Sequence, residues 1–302
     1  MGTMIDFRPI TTGDRALYES RLSDGYVRGS EYSFANLFIW GDQRMAVYDD
    51  QLLLFSRFGQ FTCYPWPIGR GDKRAAVDAL ISDARSKGIP CRLTGLDARA
   101  ARELDELYPG RCQIESDAGL YDYVYDIDEL AGLSGKKYHG KRNHIHRFID
   151  MYPHYAVEPL TEENLPIAAE MIDGWFRDKQ AEAPDGDYEP ERSAIKKAFE
   201  NYNSLGMDGL ILQSGRTALA VTLGSRLTGE SFDVQFEKAS ADAEGAYTMI
   251  NCEFAKYIRE KYPDIRYLDR EEDMGIDGLR RAKQSYHPHH MIEKFSAVIA
   301  EG

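Results

Sequence analysis

Cysteine is scarce in this 302-residue chain: Cys63, Cys91, Cys112 and Cys252 are scattered, and no CxxC pair occurs. That spacing offers no frame for a cysteine-built zinc site and no sign of a disulfide scaffold. Also missing is any apolar run near the roughly 18 residues that a membrane-spanning helix needs. The opening MGTMIDFRPI has neither a basic leader nor an apolar core, which argues against a secretory signal. Asp6 stands where a myristoylation motif on Gly2 wants Ser or Thr. These absences point to a soluble, cytoplasmic protein without stable membrane insertion. No GxSxG, Walker or GxGxxG pattern occurs, so the usual signatures of serine hydrolases, P-loop enzymes and dinucleotide-binding folds are gone. Basic residues are outnumbered, 37 Lys+Arg against 50 Asp+Glu, for a formal charge of -13. Such a surface argues against DNA as a partner and leaves room only for a local anion contact.

A hydrophobic content of 43% with 12% aromatics is ample for real cores, and the length implies two domains of about 150 residues each. Strands and helices alternate. RMAVYDDQLLLFSRF reads as a hairpin turning at Asp49-Asp50. DKRAAVDALISDARSKG is a helix stopped by Gly88, and SEYSFANLFIW begins a helix at Ser30 or Ser33. In the second half, TEENLPIAAEMIDGWFRDK opens with a capping-box pattern, Thr161 with Asn164. Gln180 to Arg192, acidic and carrying Pro184, Gly186 and Pro190, reads as a mobile surface loop. GLILQSG, TALAVTLGSRLTG and ESFDVQFEKA follow as antiparallel strands. The pattern is mixed α/β, of the α+β class, with divisions expected at 1–132, a basic helix over 133–152, and 153–302. Two halves of similar element order hint at a duplication.

Against the acidic background, LSGKKYHGKRNHIHRFIDM is a cationic island with no acid between Glu129 and Asp150. On a helix, Tyr138, Ile145, Phe148, Ile149 and Tyr152 share one face. Lys141 and Arg142 fall within about 60° of that face's centre, while Lys136, Asn143 and Arg147 point away. A charge on the packed side needs a partner, which makes Lys141 and Arg142 candidates for gripping phosphate, with Lys137 on the flank. The plainer alternative is a solvated face whose lysine and arginine snorkel to the rim.

Two further stretches carry candidate chemistry. In SFDVQFEKASADAEGAYTMINCEF, Phe232, Val234 and Phe236 alternate with Asp233, Gln235 and Glu237, giving the strand one apolar and one polar face. The loop through Gly245 and Ala246 then meets a helix starting near Tyr247, an arrangement able to bind an anion, or simply to connect strand and helix. In LDREEDMGIDGLRRAKQSYHPHH, Glu271 and Asp273 crowd a strand's end, where they would act as a base or grip an amine; capping of the next helix is the plainer reading. Tyr286 and Gln235 are placed on the substrate side. His287, His289 and His290 lack a metal-binding frame.

The segments GKKYHGKRNHIHRF and LDREEDMGIDGLRRAKQSYHP, with SEYSFANLFIW in the first half, resemble an uncharacterised family related to the C-terminal domain of phosphatidylglycerol lysyltransferases. The resemblance covers nearly the whole chain. It implies two tandem acetyltransferase-like (GNAT) domains, and transfer of an acyl or aminoacyl group from a carrier, aminoacyl-tRNA or acyl-CoA, to an amine or hydroxyl. Carried over residue by residue, Lys137, Lys141, Arg142 and Asn143 match its first motif, and Glu271, Asp273, Gly275, Arg280 and Lys283 its second. The loop before Tyr247 is where a pyrophosphate would lie. The leading expectation is thus a transferase in which Lys137, Lys141, Arg142, Asn143, Gly245, Ala246, Tyr247, Arg280 and Lys283 hold the carrier. In it, Asp233, Glu237, Glu271 and Asp273 supply the base. Orientation and a base suffice for such chemistry, which suits a chain without an evident nucleophile. The alternatives are a non-catalytic module binding a phosphorylated metabolite or an RNA end, and a CoA-dependent N-acetyltransferase using the second half alone.

Overall fold

The computed structural model describes residues 5–22 and 29–300. The reading placed on Gly2 lies outside them. The first elements in chain order are β1 (Arg8–Pro9), α1 (Arg15–Leu22), α2 (Phe34–Ile39), β2 (Asp42–Tyr48), β3 (Gln51–Phe58), β4 (Phe61–Pro65) and β5 (Ile68–Gly69). Then come α3 (Lys73–Lys87), β6 (Cys91–Leu96), α4 (Ala98–Leu107), β7 (Cys112–Ser116), β8 (Asp122–Asp126), α5 (Ile127–Gly132), α6 (His139–Met151) and β9 (Tyr155–Pro159). The remainder holds α7 (Leu165–Glu182), α8 (Glu189–Glu200), β10 (Met207–Ser214), β11 (Thr217–Arg226), β12 (Ser231–Ala239) and α9 (Ala246–Lys261). It closes with β13 (Tyr267–Asp269), α10 (Asp277–Gln284), β14 (His290–Ile292) and β15 (Phe295–Ile299).

The chain forms two compact units, and neither is a continuous stretch. One holds the residues up to Asp122 with Glu272–Asp277 and those from Met291 on; the other holds Tyr123–Glu271 with Gly278–His290. The sheets show why the expected divisions at 132 and 153 do not apply. The first sheet runs β1-β2-β3-β4-β6-β15-β7, the second β9-β10-β11-β12-β13-β8-β14. Each begins with an antiparallel series and then gains a parallel neighbour through a helix: β4 to β6 in the first, β12 to β13 in the second. Each then accepts a strand from the opposite half of the sequence, β15 in the first sheet and β8 in the second. The need of buried backbone groups for partners favours these pairings over chain continuity. The basic helix α6 accordingly lies inside the second unit.

Local signals account for most elements. Asp49 takes a left-handed φ of 49° at the turn of the β2–β3 hairpin. The Ser33 side chain accepts from the Asn36 amide and caps α2. Gly88, at φ 65°, ends α3. Asn164 closes the reciprocal half of its cap, its Oδ1 accepting from the Thr161 amide at 2.7 Å. The loop expected from 180 to 192 is shorter than the sequence suggested: α7 runs to Glu182, residues 183–188 are non-helical, and Pro190 sits in the first turn of α8, where a missing N–H costs nothing.

Trp66, Leu53, Leu80, Leu93 and Leu104 build the buried core of the first unit between its sheet and α3 and α4. In the second unit, Phe232 of β12 meets Phe254 of α9 edge-on at 5.9 Å. Tyr138 and Phe148 are fully buried, whereas Ile149 is 37% exposed, so the apolar stripe of α6 is narrower than the periodicity implied.

Candidate functional site

β12, α9 and β13 make a strand–helix–strand crossover, and open sheets bind ligands beyond the carboxyl ends of such parallel strands. β12 and β13 pair over three residues only, ending at Asp233 opposite Asp269. Past that point β12 continues to Ala239, while the other chain turns away through Glu271, which has a left-handed φ of 57°. The fork is filled by polar side chains. Glu237 Oε1 accepts from Arg270 Nη2 at 3.0 Å, and Oε2 accepts from Asn251 Nδ2 on α9 at 3.1 Å. The side chains of Arg270 and Glu237 are only 15% and 10% exposed. A carboxylate can only accept, so Asn251 must turn its amide nitrogen to Glu237 and its oxygen away. That oxygen, Oδ1, and Arg270 Nη1 are buried without a hydrogen-bond partner. Two unused groups, an acceptor and a donor, therefore bracket one carboxylate. Native interiors rarely leave such groups unpaired without a functional reason.

Arg270 lies 4.9 Å from the ring centre of buried Tyr286 and 5.6 Å from that of Tyr125. Lys141 of α6 sits 3.6 Å from the Tyr286 ring centre, and its Nζ donates to Ser285 Oγ at 2.6 Å. Two cations thus approach one aromatic ring, whose negative π-system attracts both. Burial, joined by the neighbouring Arg270 charge, pushes the Lys141 ammonium down to about 8, and Glu237 partly offsets this. Burial works against the Arg270 charge, but Glu237, Tyr125 and Tyr286 together outweigh it and the guanidinium stays firmly protonated. Lys141 and Arg270 against Glu237 leave one surplus positive charge, which suits a ligand carrying a negative or polarisable oxygen.

Of the residues singled out from sequence, the structure gathers Lys141, Glu237 and Tyr286 at the fork. Tyr247 stands close by on α9, one turn before Asn251. The others make contacts elsewhere in the fold. Arg142 donates to the carbonyls of Leu133 (2.5 Å) and Gly135 (2.8 Å), clamping the turn ahead of α6. Lys137 pairs with exposed Glu129 at 2.7 Å, and Asn143 contacts His139 at 3.3 Å. Gly245 is no open cradle: its φ is 84°, and a Cβ there would lie 2.4 Å from the His144 carbonyl oxygen of α6. Ala246 is wholly buried. The glycine is needed for α6 to approach.

Asp233 and Gln235 are buried, with Gln235 Nε2 donating to Asp233 Oδ2 and Ser225 Oγ at 2.8 Å each. A β-bulge explains their separation from Glu237: two steps on β11, Leu223 to Ser225, face three on β12, Phe236 to Asp233. One extra residue reverses the alternation, so β12 does not present a single polar row. The Glu271 carbonyl accepts from Lys283 at 3.1 Å, and Lys283 also donates to the Arg270 carbonyl. Buried Lys283 therefore braces the bend that carries Arg270. Asp273, fully buried in the first unit, accepts from the Gly275 amide at 2.8 Å. Arg280 lies partly exposed on α10.

Arg270 and Asn251 were not singled out from the sequence. Arg270 stands among the acids of the DREED run, and Asn251 is an isolated amide on its helix. Among the described residues, no helix is long and apolar enough to cross a membrane, and no group of three metal-binding side chains occurs.

Comparison with known proteins agrees with this architecture. A conserved protein of unknown function from Bacteroides thetaiotaomicron is 36% identical, covers 98% of this chain and 100% of its own, and superposes with a TM-score of 0.92. L-PGS from Bacillus licheniformis is 15% identical over 98% of this chain and 93% of its own, with a TM-score of 0.70. A tandem GNAT protein from the clavulanic acid biosynthesis pathway covers 99% of each chain at 11% identity and a TM-score of 0.51. The fold is therefore a mixed α+β pair of acetyltransferase-like (GNAT) domains, as the resemblance implied. An uncharacterised protein of Mycoplasmoides gallisepticum is 24% identical over 182 residues, and the match spans 56% of that relative's length. Residues 26–298 match the model of the phosphatidylglycerol lysyltransferase C-terminal family, and the chain belongs to that family.

Proposed function

We propose that this chain transfers an aminoacyl group from an ester-linked carrier to an amine or hydroxyl acceptor, with the fork in the second unit as its reaction site. The observation that carries this reading is the bracket around Glu237. A donor, Arg270 Nη1, and an acceptor, Asn251 Oδ1, stand unused on either side of a carboxylate. An aminoacyl ester presents the complement: a carbonyl oxygen for Arg270, and an α-ammonium for Asn251 and Glu237. A plain acyl group fills only half of this arrangement, and leaving buried polar groups unpaired discriminates strongly against such a ligand.

In the transfer itself, the acceptor's nitrogen or oxygen attacks the carbonyl carbon, and negative charge gathers on the carbonyl oxygen. Arg270 and Lys141 stabilise that charge in a low-dielectric setting. The bond from carbonyl carbon to carrier oxygen then breaks, and the acceptor's proton ends on the departing oxygen. Lys141, pushed down to about 8, is suited to hand that oxygen a proton and to recover one from the acceptor. Tyr286 positions both cations. The packing of α6 onto the Gly245 turn weighs against a CoA pyrophosphate there.

The test supplies purified protein with aminoacylated RNA hairpins or with acyl-CoA thioesters, and follows label moving to a panel of amines and hydroxyls. Transfer from the hairpin that disappears in Arg270→Gln and Asn251→Ala supports the proposal. Donor binding with no product on any acceptor would establish a binding module in its place. Transfer from acetyl-CoA as fast as from the hairpin would establish an ordinary acetyltransferase.

A further inference from the structure

One face of α9 continues outward from the reaction site. Tyr247 precedes Asn251 by four residues, so the two share a side of the helix, and Tyr247 is 42% exposed. Partial burial pushes the Tyr247 phenol up, against hydrogen bonding to the Ala239 backbone and the Trp175 side chain and against the charge of Lys179. Trp175, on α7, has Lys238 Nζ 3.8 Å and Lys179 Nζ 5.9 Å from its ring centre. Lys238 directly follows Glu237 on β12, is 9% exposed, and pairs with Glu191 at 2.8 Å. Lys179 pairs at 2.6 Å with Glu182, which is 58% exposed, and an exposed pair of this kind contributes little and readily yields its lysine to a stronger anion.

Tyr247 at the start of α9, and Trp175 with Lys179 on the face of β12 opposite Glu237, thus stand beyond the reaction site on the elements that build it, and the transfer step uses none of them. Aromatic rings accept any planar base by stacking, and a lysine beside them meets the adjoining phosphate. We propose that Tyr247 and Trp175, with Lys179 beside them, form a subsite for the nucleotide end of the carrier. A terminal nucleotide is common to an aminoacylated RNA and to CoA, and the subsite recognises that shared part. The inference rests on the transferase reading but is measured without transfer.

The experiment is equilibrium binding of a fluorescein-labelled, deacylated RNA hairpin with a single-stranded 3′ end, followed by anisotropy, with unlabelled CoA as competitor. Tyr247→Ala and Trp175→Ala are expected to weaken binding about tenfold or more, and Tyr247→Phe and Trp175→Phe, which keep a ring, to restore it. Lys179→Gln should flatten the salt dependence. Displacement by CoA would show that one subsite serves both sources, and its absence would assign the subsite to RNA. Wild-type affinity in Tyr247→Ala, whose exposed side chain can be removed without unfolding, would overturn the proposal, as would failure of both hairpin and CoA to bind the wild-type chain. Failure of the transferase reading is a separate result, namely absence of product at donor concentrations shown here to saturate.

Discussion

Glu237→Gln is the most informative single change at the fork. It keeps the side chain's volume and removes its charge, leaving Arg270, with a side chain only 15% exposed, without its 3.0 Å counter-ion. Removing one partner of a buried pair costs about 3–5 kcal/mol, because the remaining charge stays desolvated with nothing to offset it. With a urea m-value of about 2 kcal/mol per molar, the unfolding midpoint should fall by roughly 1.5–2.5 M. Far-UV circular dichroism in a urea series reads this directly. The charge change has a second consequence. Glu237 raises the Lys141 ammonium while burial and Arg270 lower it, so the Lys141 titration should move further below about 8. Isotope-edited NMR of the lysine side chains follows that shift. In Glu237→Gln/Arg270→Gln both charges are gone, and most of the lost stability should return. A midpoint shift under about 0.5 M for the single change, or a double variant no more stable than the single, would refute the buried-pair reasoning.

Transfer should lose rate as pH rises through about 8, where Lys141 gives up its proton. Because an unfolded Lys141 keeps its proton to higher pH than the folded one, this residue should make stability rise with pH between about 8 and 10.5, a slope absent in Lys141→Met and checked by urea melts. In the first unit, Lys294 Nζ pairs with Asp122 (2.7 Å) and Glu31 (2.8 Å), and Asp122 is raised to about 6 by burial against the pull of Lys294. Folded Asp122 therefore binds its proton more tightly than unfolded Asp122, and its contribution to stability is lost as pH rises through about 6. Lys294→Met should raise Asp122 further and cost more stability at pH 8 than at pH 5, by differential scanning calorimetry. Gly245→Ala should destabilise by about 1–3 kcal/mol, since a Cβ must displace the His144 carbonyl at an already left-handed φ. Arg142→Ala should lower stability by about 1–2 kcal/mol through the freed Leu133 and Gly135 carbonyls and leave carrier affinity unchanged, measured by chemical denaturation and by hairpin binding.

Local chemistry made much of the architecture legible. The β2–β3 hairpin, the glycine stop of α3, the Ser33 cap and the β10–β12 series follow from turn residues, caps and alternation, which act over a few residues. The cationic island was legible as a helix with Lys141 and Arg142 toward the packed side, but periodicity could not tell them apart. Arg142 meets nearby backbone carbonyls, whereas Lys141 reaches Tyr286 and Ser285, some 144 positions away in sequence. Alternation in β12 was misleading for a specific reason: a bulge needs a partner strand to define it, and no sequence pattern announced it.

By itself, the sequence determined the element types, the α+β class, the family resemblance and the excess of acid that makes a cationic cluster informative. Tertiary structure alone decided which distant residues meet. β8 and β15 each enter the sheet opposite their place in the chain, because backbone groups seek pairing regardless of sequence distance. The parallel strands part after three residue pairs, opening a fork where Glu237, Asn251 and Arg270 converge from a strand, a helix and a bend. Burial there raises the cost of every unmet charge and hydrogen bond, and that cost turns an unremarkable asparagine and an arginine within an acidic run into a site.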